Sequence, residues 1–172
     1  MKFLKSKNLT LTMIFAMLYF GLTVIFTSAS YEAVQFRVSE ALTVLPIFNP
    51  AAIFGLTVGC FFSNIYGVFK NAVESSMPID ILIGSLATFL AAVLTNLIGT
   101  INSKKIKYLI GPLPAVLIKA LVVGYEITFF NGEKFFYNFL NVGFGQFVVC
   151  YALGVPLMFF LYKNNAYKNI FN

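Results

Sequence analysis

The chain has 172 residues, 59% of them hydrophobic and only 10% charged, with a formal net charge of +6. Soluble domains carry about 25% charged residues, so this composition, with a mean hydropathy of +0.86, predicts a single integral membrane domain over residues 1–172. No Walker-type phosphate loop is present and no histidine, which excludes a nucleotide-hydrolysing chain, a Cys/His metal site and an ordinary catalytic constellation.

Residues 1–8 are basic and precede an apolar run through residue 27. The run is too long for a signal-peptide core and has no clear small-residue cleavage site, so it reads as a retained first span over 9–28. Next comes 34–47, apolar but studded with polar residues and only three to four turns long. Asn49-Pro50 closes it, because proline disfavours helix in the residue before it and suits a helix start. Four further apolar runs follow at 51–69, 79–101, 112–130 and 139–162, each near the roughly 20 residues needed to cross a bilayer core.

The lysines choose between five spans and six. Basic residues collect on the cytoplasmic side. With six helices and the N-terminus inside, Lys2, Lys5, Lys7, Lys104, Lys105, Lys107, Lys163 and Lys168 are cytoplasmic, and only Lys70 and Lys134 lie outside. With five, the Lys104–Lys107 group would be external. Six helices with both termini cytoplasmic is therefore the expected all-α fold.

That topology brings polar groups from several helices toward the outer end: Gln35, Arg37 and Glu40, then Asn64, Asp80, Glu126, Asn138 and Asn141, with Gln146 deeper. Ionisable groups within apolar segments are costly and read first as functional. Arg37 and Glu40 stand at i, i+3 and could instead neutralise each other; Asp80, after Pro78, suits a first helical turn. Lys119, near the middle of the fifth span, either snorkels or lines the site. Small residues at four-residue spacing, Thr12/Ala16 and Gly55/Gly59 among them, mark close helix contacts. Gly154 suits close approach or a bend before Pro156. Cys60 and Cys150 lie in apolar runs and read as small buried hydrophobes.

The segment Gln35-Phe36-Arg37-Val38-Ser39-Glu40-Ala41-Leu42-Thr43-Val44-Leu45-Pro46 closely resembles the signature of the QueT family. Gly55-Leu56-Thr57-Val58-Gly59-Cys60, Asp80-Ile81-Leu82-Ile83-Gly84-Ser85-Leu86-Ala87-Thr88, Pro112-Leu113-Pro114-Ala115-Val116 and, more weakly, Leu153-Gly154-Val155-Pro156-Leu157 follow in register. The resemblance implies a six-helix substrate-binding S component of an energy-coupling factor (ECF) transporter in the bacterial cytoplasmic membrane. Such a protein is not an enzyme and has no cofactor. Its implied partners are a transmembrane coupling subunit, two cytoplasmic ATPases, membrane lipid and a 7-deazaguanine precursor of queuosine, such as queuine or its aminomethyl precursor, with no nucleic acid. Docking through the first helix is implied; here only Thr12 and Ala16 supply small-x-x-x-small spacing, since Phe20 follows Ala16. Lys119 and Gln146 also depart from the family pattern and leave the ligand's charge open.

A carboxylate can accept the N1–H and exocyclic amine of a deazaguanine, and an amide or guanidinium can donate to its carbonyl. On this implied chemistry the acceptors are Glu40, Asp80 and Glu126, the donors Gln35, Arg37, Asn64 and Asn141, and Tyr31 and Tyr125 stack on the ring. An S component for another vitamin and a stand-alone secondary transporter are the alternatives; inverted repeats that would favour the latter are not evident in the sequence.

Overall fold

The computed structural model describes residues 6–30, 36–70 and 78–163. The described chain is helical throughout: α1 (Ser6–Ile25), α2 (Thr27–Ser30), a 3-10 helix (Val38–Ile47), α3 (Ala51–Phe69), α4 (Pro78–Ile98), α5 (Lys104–Ile110), α6 (Leu113–Asn131), α7 (Phe135–Val149), a π-helical turn (Cys150–Gly154) and α8 (Val155–Lys163). Among the described residues, five stretches are long and apolar enough to cross a membrane: Lys7–Ile25, Ala51–Phe69, Ile81–Ile98, Lys104–Phe130 and Phe135–Lys163. Five of the expected spans appear here, the one expected over 112–130 beginning eight residues earlier at Lys104, while Val38–Ile47 is an apolar helix too short to count among them.

The bundle is built around a short apolar element. The 3-10 helix packs against α1, α3, α4, α7, the π turn and α8, and Ser39 through Pro46 are all buried. A 3-10 helix rises about 2.0 Å per residue against 1.5 Å for an α-helix. Ten residues in this winding reach roughly 20 Å rather than about 15 Å, so a segment too short for an α-helical span extends across most of the bundle's interior. Its far end is held by Asn96 of α4, whose Nδ2 donates to the Pro46 carbonyl at 2.6 Å. The Asn49-Pro50 boundary acts as the sequence suggests: Asn49 Oδ1 accepts from the Ala51 N–H at 2.8 Å and caps α3.

Small residues set the closest contacts. A Cβ on Gly55 would lie 2.6 Å from Phe15 Cβ and 2.7 Å from the Thr12 carbonyl; on Gly59 it would lie 2.7 Å from Tyr19 Cβ and 2.8 Å from the Ala16 carbonyl. The G-x-x-x-G ridge of α3 thus receives the backbone of α1 at Thr12 and Ala16 themselves, the packing use of such pairs in membrane helices. The outer side of α1 is instead formed by Met13, Ile14, Met17 and Leu18, all exposed. Gly154 lets the π turn approach the 3-10 helix, since a Cβ there would meet Val44 Cγ1 at 3.1 Å and the Ala41 carbonyl at 3.3 Å. The wide turn stands just before Pro156, whose ring and missing N–H are incompatible with an undisturbed α-helix.

At the end of the bundle that carries Phe48, the aromatic rings of Tyr108, Tyr162 and Phe48 pack together, and Lys104 Nζ stands 5.3 Å over the Tyr162 ring. Tyrosines and lysines in such a cluster are typical of a membrane–water interface.

Candidate functional site

Glu40 lies in the first turn of the 3-10 helix and is completely buried. A carboxylate in such surroundings requires charge and hydrogen-bond compensation. Two other helices supply it. Lys119 of α6 places Nζ 3.0 Å from Glu40 Oε1, and Tyr19 of α1 donates its hydroxyl to the same oxygen at 2.5 Å. Lys119 does not snorkel: it too is buried, and its ammonium also reaches the Gly84 carbonyl of α4 at 3.4 Å and Cys60 Sγ of α3 at 3.7 Å. The three hydrogens of an ammonium group thus have three acceptors. Among the described residues the other Glu40 oxygen, Oε2, is buried and has no hydrogen-bond partner.

Arg37 and Asn64 adjoin this centre. Arg37 Nη1 donates to Asn64 Oδ1 at 3.1 Å and lies 4.0 Å from Cys60 Sγ, while Asn64 Nδ2 lies 3.7 Å from the same sulfur. Cys60, read from sequence as a plain hydrophobe, is therefore the point at which α3, Arg37 and Lys119 meet. The backbone of Glu40 is also fixed. Its carbonyl accepts from Thr43 Oγ1 at 2.6 Å and lies 3.6 Å from Cys150 Sγ, and Ser39 Oγ meets Thr23 Oγ of α1 at 2.7 Å. Gln146 is buried beneath, with Oε1 3.9 Å from Cys150 Sγ.

Of the residues predicted from sequence, Arg37, Glu40 and Asn64 come together. Glu126 is buried farther along α6, where it lines an apolar pocket of about 520 Å³ with Tyr125, Ile83, Leu121 and Phe129. Leu121 and Phe129 in its lining are exposed, so the pocket opens on the outer face of α6. Tyr125 is 63% exposed and packs edge-on against Phe135, so it belongs to the pocket rim rather than to the buried centre. Asn141 is half-buried on α7; Asn138 is buried and donates to Thr128 Oγ1 at 3.1 Å. Gln35 and Tyr31 lie outside the described residues, as does the side chain of Asp80.

The ion-pair partner of Glu40 at 3.0 Å is Lys119, and Arg37 adds its charge to the same centre. Arg37 is not in the helix: it is extended at φ −78° and ψ 95°, so helical spacing does not align the two side chains. Sequence reasoning overlooked Tyr19 altogether. The available signal was its position in the middle of a span, since membrane tyrosines favour the interfaces.

Apolar helices wrapped around a charged and hydrogen-bonded interior define a multi-pass membrane protein with a buried polar site. The chain belongs to the QueT transporter family, whose model matches residues 9–163. It is also similar to the Queuosine precursor transporter QueT of Lactococcus lactis subsp. cremoris (strain MG1363), at 34% identity over 90 residues, which cover 51% of this chain and 48% of that protein. The alignment thus spans about half the length of that curated relative. No solved structure matches the chain.

Proposed function

We propose that this protein is the substrate-capture subunit of an ECF-type importer for a queuosine precursor of the 7-deazaguanine class. It crosses the membrane six times with both termini cytoplasmic, and separate ATPase subunits and a coupling subunit supply the work. Family membership and the name of the Lactococcus relative support the substrate class. The lysine distribution supports the orientation, with the Lys104–Lys107 group and Lys163 at the cytoplasmic end. The absence of a phosphate loop from the sequence is consistent with energy supplied by another chain.

The observation that carries the reading is Glu40. A buried carboxylate with one oxygen left over is an acceptor for an N–H donor, and the guanine edge of a deazaguanine offers such donors. Asn64 and Arg37 stand on the same centre to complete its polar lining. Glu126, in the α6 pocket, is the acceptor for a cationic substituent when the ligand carries one, and Tyr125 at the rim offers an aromatic face. Gln35, Asp80 and Asn141 complete the proposed outward-facing set. Docking on the coupling subunit is assigned to α1, through its Met13/Met17 side where Thr12 and Ala16 are engaged by α3.

Equilibrium binding of queuine and its aminomethyl precursor to the purified protein tests this. Glu40→Gln and Glu126→Gln are each expected to weaken binding at least tenfold; normal binding by both variants sinks the site assignment. Co-expression with ECF modules is expected to recover the coupling subunit and both ATPases with this chain. Transport in liposomes by the chain alone would instead make it a secondary transporter.

A further inference from the structure

We propose that Lys119 is a positioning residue for ligand capture. With Tyr19 it fixes Glu40 through Oε1 and so presents Oε2 as the acceptor for a neutral ring N–H of the ligand. The proposal rests on the deazaguanine reading above and deepens it.

The donors decide the role of Lys119. Its ammonium faces Glu40 Oε1, the Gly84 carbonyl and Cys60 Sγ at 3.0, 3.4 and 3.7 Å. With three acceptors for three hydrogens, no donor is left to address a ligand directly. The acceptors decide the role of Glu40. Oε1 receives both the Tyr19 hydroxyl and the Lys119 ammonium, which uses the two lone-pair directions of that oxygen. Oε2 is buried, and no described group donates to it. The carboxylate therefore has one oxygen committed to the protein and one available for recognition.

Charge decides what Oε2 accepts. The carboxylate already has a buried counter-ion 3.0 Å away. A ligand ammonium brought to Oε2 would meet Lys119 as a like charge in surroundings where screening is weak. A neutral lactam N–H brings a donor without that repulsion. The N1–H of a deazaguanine is such a donor, and any cationic substituent on the five-membered ring points away from it, toward the side on which Glu126 lies in this reading. Rigidity supports the same role: Thr43, Thr23 and Ser39 hold the turn carrying Glu40 from both sides, so Oε2 is preorganised rather than recruited.

The test uses the full chain in lipid nanodiscs, titrated with 7-aminomethyl-7-deazaguanine and with its N1-methyl derivative, which lacks the ring donor. The unsubstituted ligand is expected to bind at least tenfold more tightly. Lys119→Met is expected to remove most of that preference, weakening the N1–H ligand at least tenfold while moving the N1-methyl ligand less than threefold. A purely structural lysine would weaken both ligands alike, and that result overturns the proposal. Tyr19→Phe retains the ion pair and serves if Lys119→Met does not fold; it is expected to lower the same preference by a few fold, and an unchanged preference counts against the proposal. If the wild-type protein binds both ligands equally, the positioning role fails while the substrate class stands. If it binds neither, the deazaguanine reading fails as well.

Discussion

Removing the ammonium of Lys119 should be among the most damaging single changes to the fold of this protein. Lys119→Met keeps most of the side chain's length and apolar stem, so the perturbation is chiefly electrostatic. The pair separates by 3.0 Å, with both side chains buried. Two unit charges at that distance attract by about 5–6 kcal/mol at an effective dielectric constant near 20. The desolvation cost of the lysine is recovered when it is removed, but Glu40 remains buried with the Tyr19 hydroxyl and the neighbouring Arg37 charge to compensate it. Breaking a buried pair from one side typically costs about 3–5 kcal/mol, and a loss in that range is expected here. Replacing both charges is a different matter, because neither desolvation cost then remains. The double variant Glu40→Gln with Lys119→Met should lie within about 1–2 kcal/mol of wild type. Nine tyrosines and no tryptophan make tyrosine fluorescence the natural probe, followed during unfolding in mixed detergent–SDS micelles. A Lys119→Met protein as stable as wild type would refute the reasoning, and so would a double variant no more stable than Lys119→Met alone.

Two further outcomes are expected. Gly59→Ala should destabilise the protein by about 1–3 kcal/mol in the same assay, because the new Cβ would press on Tyr19 Cβ at 2.7 Å and on the Ala16 carbonyl at 2.8 Å; it should also weaken ligand binding, since Tyr19 holds Glu40, and unaltered unfolding and binding would contradict the close α1–α3 contact. In intact cells, a membrane-impermeant maleimide should label Lys134→Cys but not Lys105→Cys, both sites being exposed and the native Cys60 and Cys150 buried; labelling of Lys105→Cys alone would invert the topology.

The spans were legible because bilayer thickness imposes a length on any apolar run, and that constraint is local. Asn49-Pro50 was legible for a similar reason: proline's backbone preference and the Asn49 cap both act within a few residues. Winding was not. Nothing in Val38–Ile47 distinguishes i+3 from i+4 bonding, because the choice is made by the surroundings: the Asn96 anchor at one end, and six packed elements that reward reach over compactness. Likewise Gly154 and Pro156 announced a bend, but that it takes the form of a π turn lying on Ala41 and Val44 depends on a distant element.

The candidate site divides along the same line. Arg37, Glu40 and Asn64 could be picked out because each is expensive in an apolar segment, and expense is visible residue by residue. Who compensates whom is not. Tyr19 and Glu40 are 21 residues apart, and Lys119 meets Cys60 across 59; each partner by itself has an ordinary explanation as a packed aromatic, a snorkelling lysine or a buried thiol. Only the packing of α1, α3 and α6 about the 3-10 helix turns these separate explanations into one centre. The close approach that makes this possible comes from Gly55 and Gly59, which bring the Thr12 and Ala16 backbone and the Tyr19 Cβ against α3. The glycine ridge and the polar centre are therefore parts of one arrangement: small residues bring the helices near enough for a hydroxyl on α1 and an ammonium on α6 to share a single carboxylate oxygen, and that sharing leaves the second oxygen with no donor among the described residues.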